Sequence, residues 1–383
     1  MMRACAICCA VLVALPAANA QSAPPSFSLV QELRLDGVAH DFSTIRSILV
    51  GRDGRVVVPL EQDHHFRVFD AAGKQIAAVG RAGSGPGEFD DVASFVGWLG
   101  DTLWVHDFNP RRLTLISPLN AVVRSANTVP PVTAAGSSDR PRITMTNVPV
   151  RALFADGTML VRWGFGPPDP ETFAPTDVRL VVVSPAGEVV REVTRLPKGA
   201  GVVSHRMPDG GVHNAVVPFY ARPLEAISAA GDRVATLTTD VGSATYALTV
   251  VRTTGDTVFA KTYPFTGARI STAAKDSALA TITSRQPETG IQLRSKAAPL
   301  VPDVYAPVTA VLFGEDDTVW LRVHSANANP RYSVLDGTGA LMGQVVLPVR
   351  ATLARASRTS LWTIERDADD VPSIVRYRIQ ARR

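Results

Sequence analysis

The feature that most constrains this chain is a pattern that recurs six times along it. Each copy holds an apolar strand, a turn, a second strand rich in Val, Leu or Trp, a loop, a third strand, a Gly-bearing turn and a fourth strand. The copies begin at Ile45, Val92, Val150, Pro223, Pro307 and Val349. The first reads "IRSILVGRDGRVVVPLEQDHHFRVFDAAGKQIAAVG", with Gly in "GRDGR" and "DAAGK" where hairpin turns require positive φ. Gly and Pro number 28 each, and Val and Thr are plentiful, which favours strands and turns over helices. Six four-stranded units predict an all-β fold, a six-bladed β-propeller of four-stranded antiparallel blades. A single propeller domain is expected over residues 21–383, with blades near 45–80, 89–129, 150–197, 221–265, 305–348 and 349–381. The sixth copy is one strand short, and the strand at 27–36, "FSLVQELRLD", is expected to complete it. That pairing would remove two free sheet edges.

Three segments fall outside the repeat, at 130–147, 198–220 and 266–305. They read either as inter-blade loops or as a cap over one face. The third contains "ARISTAAKDSALATITSRQ", which predicts a short helix from about Ser271.

The first residues, "MMRACAICCAVLVALPAANAQS", pair one Arg with a short apolar run and the small-x-small triplet Ala18-Asn19-Ala20. This is the pattern of a secretory signal peptide over residues 1–20, cleaved after Ala20, and predicts a periplasmic or secreted protein. Cys5, Cys8 and Cys9 all lie in that leader, so the remaining chain offers no disulfide, thiolate metal site or cysteine nucleophile. No second apolar run of spanning length follows, so no membrane span is expected. The formal net charge of +4 comes from scattered residues, mostly Arg, without a basic block. Nucleic acid is therefore not an expected partner.

"VGRAGSGPGEFDD", residues 79–91, has the density of glycine seen in phosphate-binding loops. It lacks the Gly-Lys-Ser/Thr ending, a strand rather than a helix follows, and Glu88, Asp90 and Asp91 would repel a phosphate. Its place between the first and second copies makes it a blade-to-blade connector, with Phe89 as an anchor between blades. The segment that leads into it and overlaps it, "FRVFDAAGKQIAAVGRAGSGPGEF" (residues 66–89), resembles the NHL-type repeat. It is closer still to the secreted bacterial six-bladed β-propeller proteins that share the Gly-Pro-Gly-Glu-Phe connector. "LWVHD", "VWLRV" and "SLWTIERDADDVPSIVRYRI" extend the resemblance over the rest of the chain. It implies the propeller fold, secretion, and a binding or scaffold role.

The loops after each second strand are expected to open on the same face as the connectors, around the central channel. His64, His65, His106 and His324, four of the seven histidines, fall on these loops. With Asp107, Arg111, Arg112, Arg162, Trp163 and Arg331 they form the expected binding set, for a small ligand, a peptide or a protein partner of a monomeric propeller. Arg111, Arg112 and Arg331 favour an anionic ligand. Trp163, beside Arg162 in a Pro-rich loop, offers a surface for stacking.

The alternative is a metal-dependent lyase or hydrolase with histidines from separate blades converging on one ion. Against it, His106 lies two residues past Trp104, His324 four past Trp320 and His64 seven past Val57, so the three do not occupy equivalent positions. No metal or other cofactor is expected. No G-x-S-x-G elbow or Ser-His-Asp arrangement is present, and the acid pairs Asp316-Asp317 and Asp369-Asp370 read as solvated turns. No catalytic residue is assigned. Trp104, Trp320 and Trp362 recur at one position of the repeat and are expected in the core.

Overall fold

A computed structural model describes residues 25–92, 95–107, 111–127, 148–168, 175–196, 201–207 and 210–381. Six four-stranded antiparallel sheets form the body. The first, blade 1, runs outward from Leu49–Val50 through Val56–Leu60 and His65–Phe69 to Gln75–Val79. Blades 2 to 5 repeat this order, with innermost strands Val96–Leu99, Val150–Leu153, Leu224–Ile227 and Val308–Phe313. Blade 6 runs from Ala351–Ala356 through Ser360–Arg366 and Pro372–Ala381. The strand Phe27–Leu35 pairs with Pro372–Ala381 in antiparallel register, Leu35 opposite Ile374 and Phe27 opposite Ala381.

The alternation of burial explains why these segments form blades. Second strands are apolar on both faces because a neighbouring blade covers each side. Val56–Leu60, "VVVPL", is buried throughout, and Trp104, Trp320 and Trp362 of the equivalent strands are 3%, 1% and 5% exposed. Fourth strands lie at the rim and are largely wet, as in Gln75–Val79. Six hydrophobic clusters fill the six gaps between consecutive blades. The one joining blade 6 to blade 1 unites Trp362, Ile364 and Ile374 with Val56, Val58, Leu60 and Phe69, so the ring of blades is continuous.

Beyond the ring, the segments between blades 3 and 4 and between blades 4 and 5 carry their own structure. The first forms a hairpin, Val202–Arg206 with Val212–Val216. The second forms helix α1 (Thr272–Ala280), capped by the Ser271 hydroxyl, and helix α2 (Pro287–Ala297). The expected helix from Ser271 is thus present. Val203, Val217, Ile282, Leu293 and Ala297 pack hairpin and helices into one small core. Lys296 Nζ donates to the Ser204 carbonyl at 2.7 Å across the same junction. Both insertions leave from outer strands and return to inner strands, so they cap the connector face above blades 4 and 5. The segment 130–147 lies outside the described residues.

Candidate functional site

The Gly-rich connector is the part of this face nearest blades 1 and 2, and it is a closed structure. Phe89 N–H donates to the Arg81 carbonyl at 2.8 Å, and a turn from Gly85 to Glu88 fills the tip. The Glu88 carboxylate accepts the Gly85 N–H at 2.7 Å and pairs with Arg81 at 2.8 Å. Those contacts, the Gly85 amide foremost, hold its carboxyl below the usual glutamate range. Phe89 is fully buried against Phe66, edge to face at 5.5 Å. At Gly80, with φ +104°, a Cβ would sit 2.7 Å from the Phe89 ring, so glycine is required there.

Asp107 and Arg112 come together beneath this connector, and His106 lies next to Asp107 on the opposite face of the same strand; all three sit in strands of blade 2 and not in a loop. All three are buried, at 2%, 0% and 7% exposure. The Asp107 carboxylate accepts the backbone N–H groups of Asp90 and Asp91 at 2.8 and 3.1 Å and faces the Arg112 guanidinium at 3.6 Å. Arg112 in turn donates to the carbonyls of Ser84 and Glu88. His106 Nδ1 accepts the Val150 N–H at 3.4 Å, tying blade 2 to blade 3. Burial pushes its imidazole down to about 4. The sequence placed this cluster on the wet loop face; it is instead a clamp that holds connector and blades in register.

The other expected residues are dispersed. His64, at φ +54°, places Nδ1 2.9 Å from the Asp90 carbonyl, and His65 Nδ1 lies 3.0 Å from the Asp63 carbonyl. Arg111 is exposed on the blade 2 loop. Arg162 is exposed and pairs with Glu225 of blade 4 at 3.3 Å. Trp163 is half-buried and packs on the core between blades 2 and 3. Arg331 is half-buried at the start of the third strand of blade 5. Among the described residues, no three His, Cys, Asp or Glu side chains gather as a metal site would require.

His324 has a different setting. Its ring stacks on Tyr305 at 4.3 Å and 11°, and Phe219 meets Tyr305 edge-on at 5.3 Å. These rings, with Tyr220, Arg222 and Leu224, line a pocket of about 290 Å³ where the inner strands of blades 4 and 5 reach the capped face. Tyr220 is seated by Gly201, whose φ of +99° and 2.5 Å Cβ approach to the Tyr220 ring exclude other residues. The Arg222 side chain is exposed and no described residue pairs with it. The site offers three aromatic rings, one imidazole and one guanidinium around a concave apolar floor. Such a lining binds a flat apolar group and orients it by a polar handle.

Of this pocket, only His324 belongs to the expected set. A signal for the rest is present in the chain. "FYARPLEA" enters the inner strand of blade 4 and "VYAPVTA" enters that of blade 5; both carry Tyr-Ala and then Pro, directly in the second and after Arg222 in the first. Reading the insertions as irregular hid this repetition.

The ring of blades defines the class: a six-bladed β-propeller with a hairpin and two helices on its connector face. No protein-family model matches the chain, and no curated protein matches it. It is similar to the solved structure of a DUF4221 family member from Bacteroides vulgatus, at 12% identity over 93% of this chain and 98% of that one, with a TM-score of 0.51. Virginiamycin B lyase from Staphylococcus aureus aligns at 10% identity over 92% of this chain and 99% of its own, TM-score 0.42. Regucalcin, a calcium-binding protein from Agrobacterium tumefaciens, aligns at 11% over 94% and 97%, TM-score 0.40. At such identities the first likeness establishes fold alone, and the other two carry no argument about chemistry.

Proposed function

We propose that this chain is an extracytoplasmic binding protein that takes a small ligand, or the side chain of a peptide, in the pocket between blades 4 and 5. The observation that carries the reading is the stacked Tyr305–His324 pair with Phe219 at its edge, lining a cavity of about 290 Å³ beneath the cap. Stacked rings give a rigid surface at little conformational cost, and an aromatic pair is worth ~0.5–1.5 kcal/mol beyond the area it buries. Arg222 supplies charge for a carboxylate at the rim. The signal-peptide pattern at 1–20 supports export, and no helix among the described residues is long and apolar enough to cross a membrane. A metal-dependent reaction finds no support in the described histidines, which are dispersed or committed to backbone groups.

Titration with N-acetyl-tryptophan, N-acetyl-phenylalanine and N-acetyl-leucine tests the reading. The aromatic acids are expected to bind at least tenfold more tightly than the aliphatic one. His324→Ala and Tyr305→Ala are each expected to weaken the aromatic acids by about tenfold, ~1.4 kcal/mol. Arg222→Ala should weaken the acids but not the corresponding amides. Equal affinity for all three acids, unchanged by either ring substitution, would overturn the proposal.

A further inference from the structure

The central channel holds a second cavity, separate from the capped pocket. It measures about 230 Å³ and is bounded by inner-strand residues of blades 1, 2, 3, 4 and 6, among them Leu49, Gly97, Trp98, Arg151, Ile227 and Arg355, and by the turn at Ser228. Room for several waters, at roughly 30 Å³ each, is room for a small solute and not for a folded chain.

Arg355 reaches this cavity because its strand is bulged. Leu353 pairs with Thr363 and Arg355 with Trp362, so Ala354 is an extra residue. Without that insertion the alternation of the strand would send position 355 into the inter-blade core with Ala351 and Leu353. With it, Ala356 takes the core position, at 4% exposure, and Arg355 lines the channel. The same device occurs at Arg151 on the inner strand of blade 3, where Val150 and Ala152 flank a register shift.

The two arginines differ in their partners. Arg151 is neutralised by Glu225 at 3.5 Å. Arg355 donates only to the carbonyl of its neighbour Ala354, at 3.4 Å, and makes no ion pair among the described residues. Glu315, on the adjoining turn of blade 5, is its electrostatic counterpart without touching it. Burial disfavours the charged form of each, and each partly restores the other. A guanidinium held in a concave site without a bidentate partner is unusual, because that fork fits carboxylate and phosphate oxygens.

We propose that the central channel binds a small oxyanion, a carboxylate or phosphate group, on the guanidinium of Arg355. Arg151, already paired with Glu225, brings no net charge to the same wall, and Glu315 limits the affinity by competing for Arg355. The inference does not rest on the capped pocket, because none of the residues lining that pocket lines this cavity.

Calorimetric titration of the full chain at low ionic strength with sodium acetate, benzoate and phosphate tests it. At least one anion is expected to bind saturably. Binding of the carboxylates alone, or of phosphate alone, would identify the group recognised. Arg355→Met is expected to lose that binding by at least tenfold, Arg355→Lys to retain part of it, and Glu315→Gln to tighten it several-fold. Circular dichroism and thermal melting confirm the fold of each variant, and should Arg355→Met not fold, the Glu315→Gln and Arg355→Lys titrations decide. Saturable binding of none of the three anions, or affinity that Arg355→Met, or those two variants in its place, leaves unchanged, would overturn the proposal.

Discussion

Asp107→Ala is expected to cost about 3–5 kcal/mol of unfolding free energy, the range found when one member of a buried ion pair is removed. The substitution strands three groups at once. The N–H groups of Asp90 and Asp91 lose their acceptor, and the Arg112 guanidinium loses its counter-charge inside the protein. Asp107→Asn keeps the shape and one carbonyl oxygen, so about 1–3 kcal/mol is expected there. Urea unfolding followed by tryptophan fluorescence measures both. A lower midpoint at unchanged slope supports the clamp; a midpoint equal to that of the unsubstituted protein would show that the connector does not depend on it.

Acidification from pH 6.5 to 4 is expected to remove up to about 3 kcal/mol through His106 alone. Its folded value, about 4, lies below the ordinary 6.5 because burial disfavours the imidazolium. In that window the unfolded chain binds a proton that the folded chain refuses. The stabilisation is therefore complete above pH 6.5 and declines as pH falls toward 4. The geometry has the same sign, since a proton on Nδ1 would end its acceptance of the Val150 N–H. His106→Asn keeps an acceptor and cannot titrate, so its stability profile across this window should be flatter by the same amount. Parallel profiles for the two proteins would contradict the assignment.

The fold was legible in the chain because its period is carried by short-range chemistry. Gly in hairpin turns, β-branched strands and a Trp at a fixed place in three second strands all report local requirements. The strand at 27–35 could be placed because the last copy lacked one. The cap was only half legible. Ser271 and the alanines after it announced α1, whereas α2 begins at Pro287 with no side-chain cap, and its buried face consists of Thr289, Gly290, Leu293 and Ala297.

The site was the least legible part, for a physical reason. Histidine, aspartate and arginine near a strand end look alike whether they face a ligand or the protein's own backbone. His106 and Asp107 belong to the second case because their backbone partners, Val150 of blade 3 and Asp90 and Asp91 of the connector, are brought to them by the blade ring and not by any local pattern. His324 instead lines a pocket, because Tyr305, delivered by the end of an insertion, stacks on it there. Arg355 gave no signal, since its exposure to the channel depends on one bulged residue that alternation alone would have reversed.

Fluorine NMR of protein labelled with fluorotyrosine tests the binding reading most directly. The chain has six tyrosines, each assignable by replacement with Phe. On addition of N-acetyl-tryptophan, the resonances of Tyr305 and Tyr220 should shift together and saturate, while Tyr332 and Tyr377, buried between blades 5 and 6, stay fixed. Saturable shifts confined to Tyr332 or Tyr377, or no shift at Tyr305 at saturating ligand, would contradict the placement of the site beneath the cap.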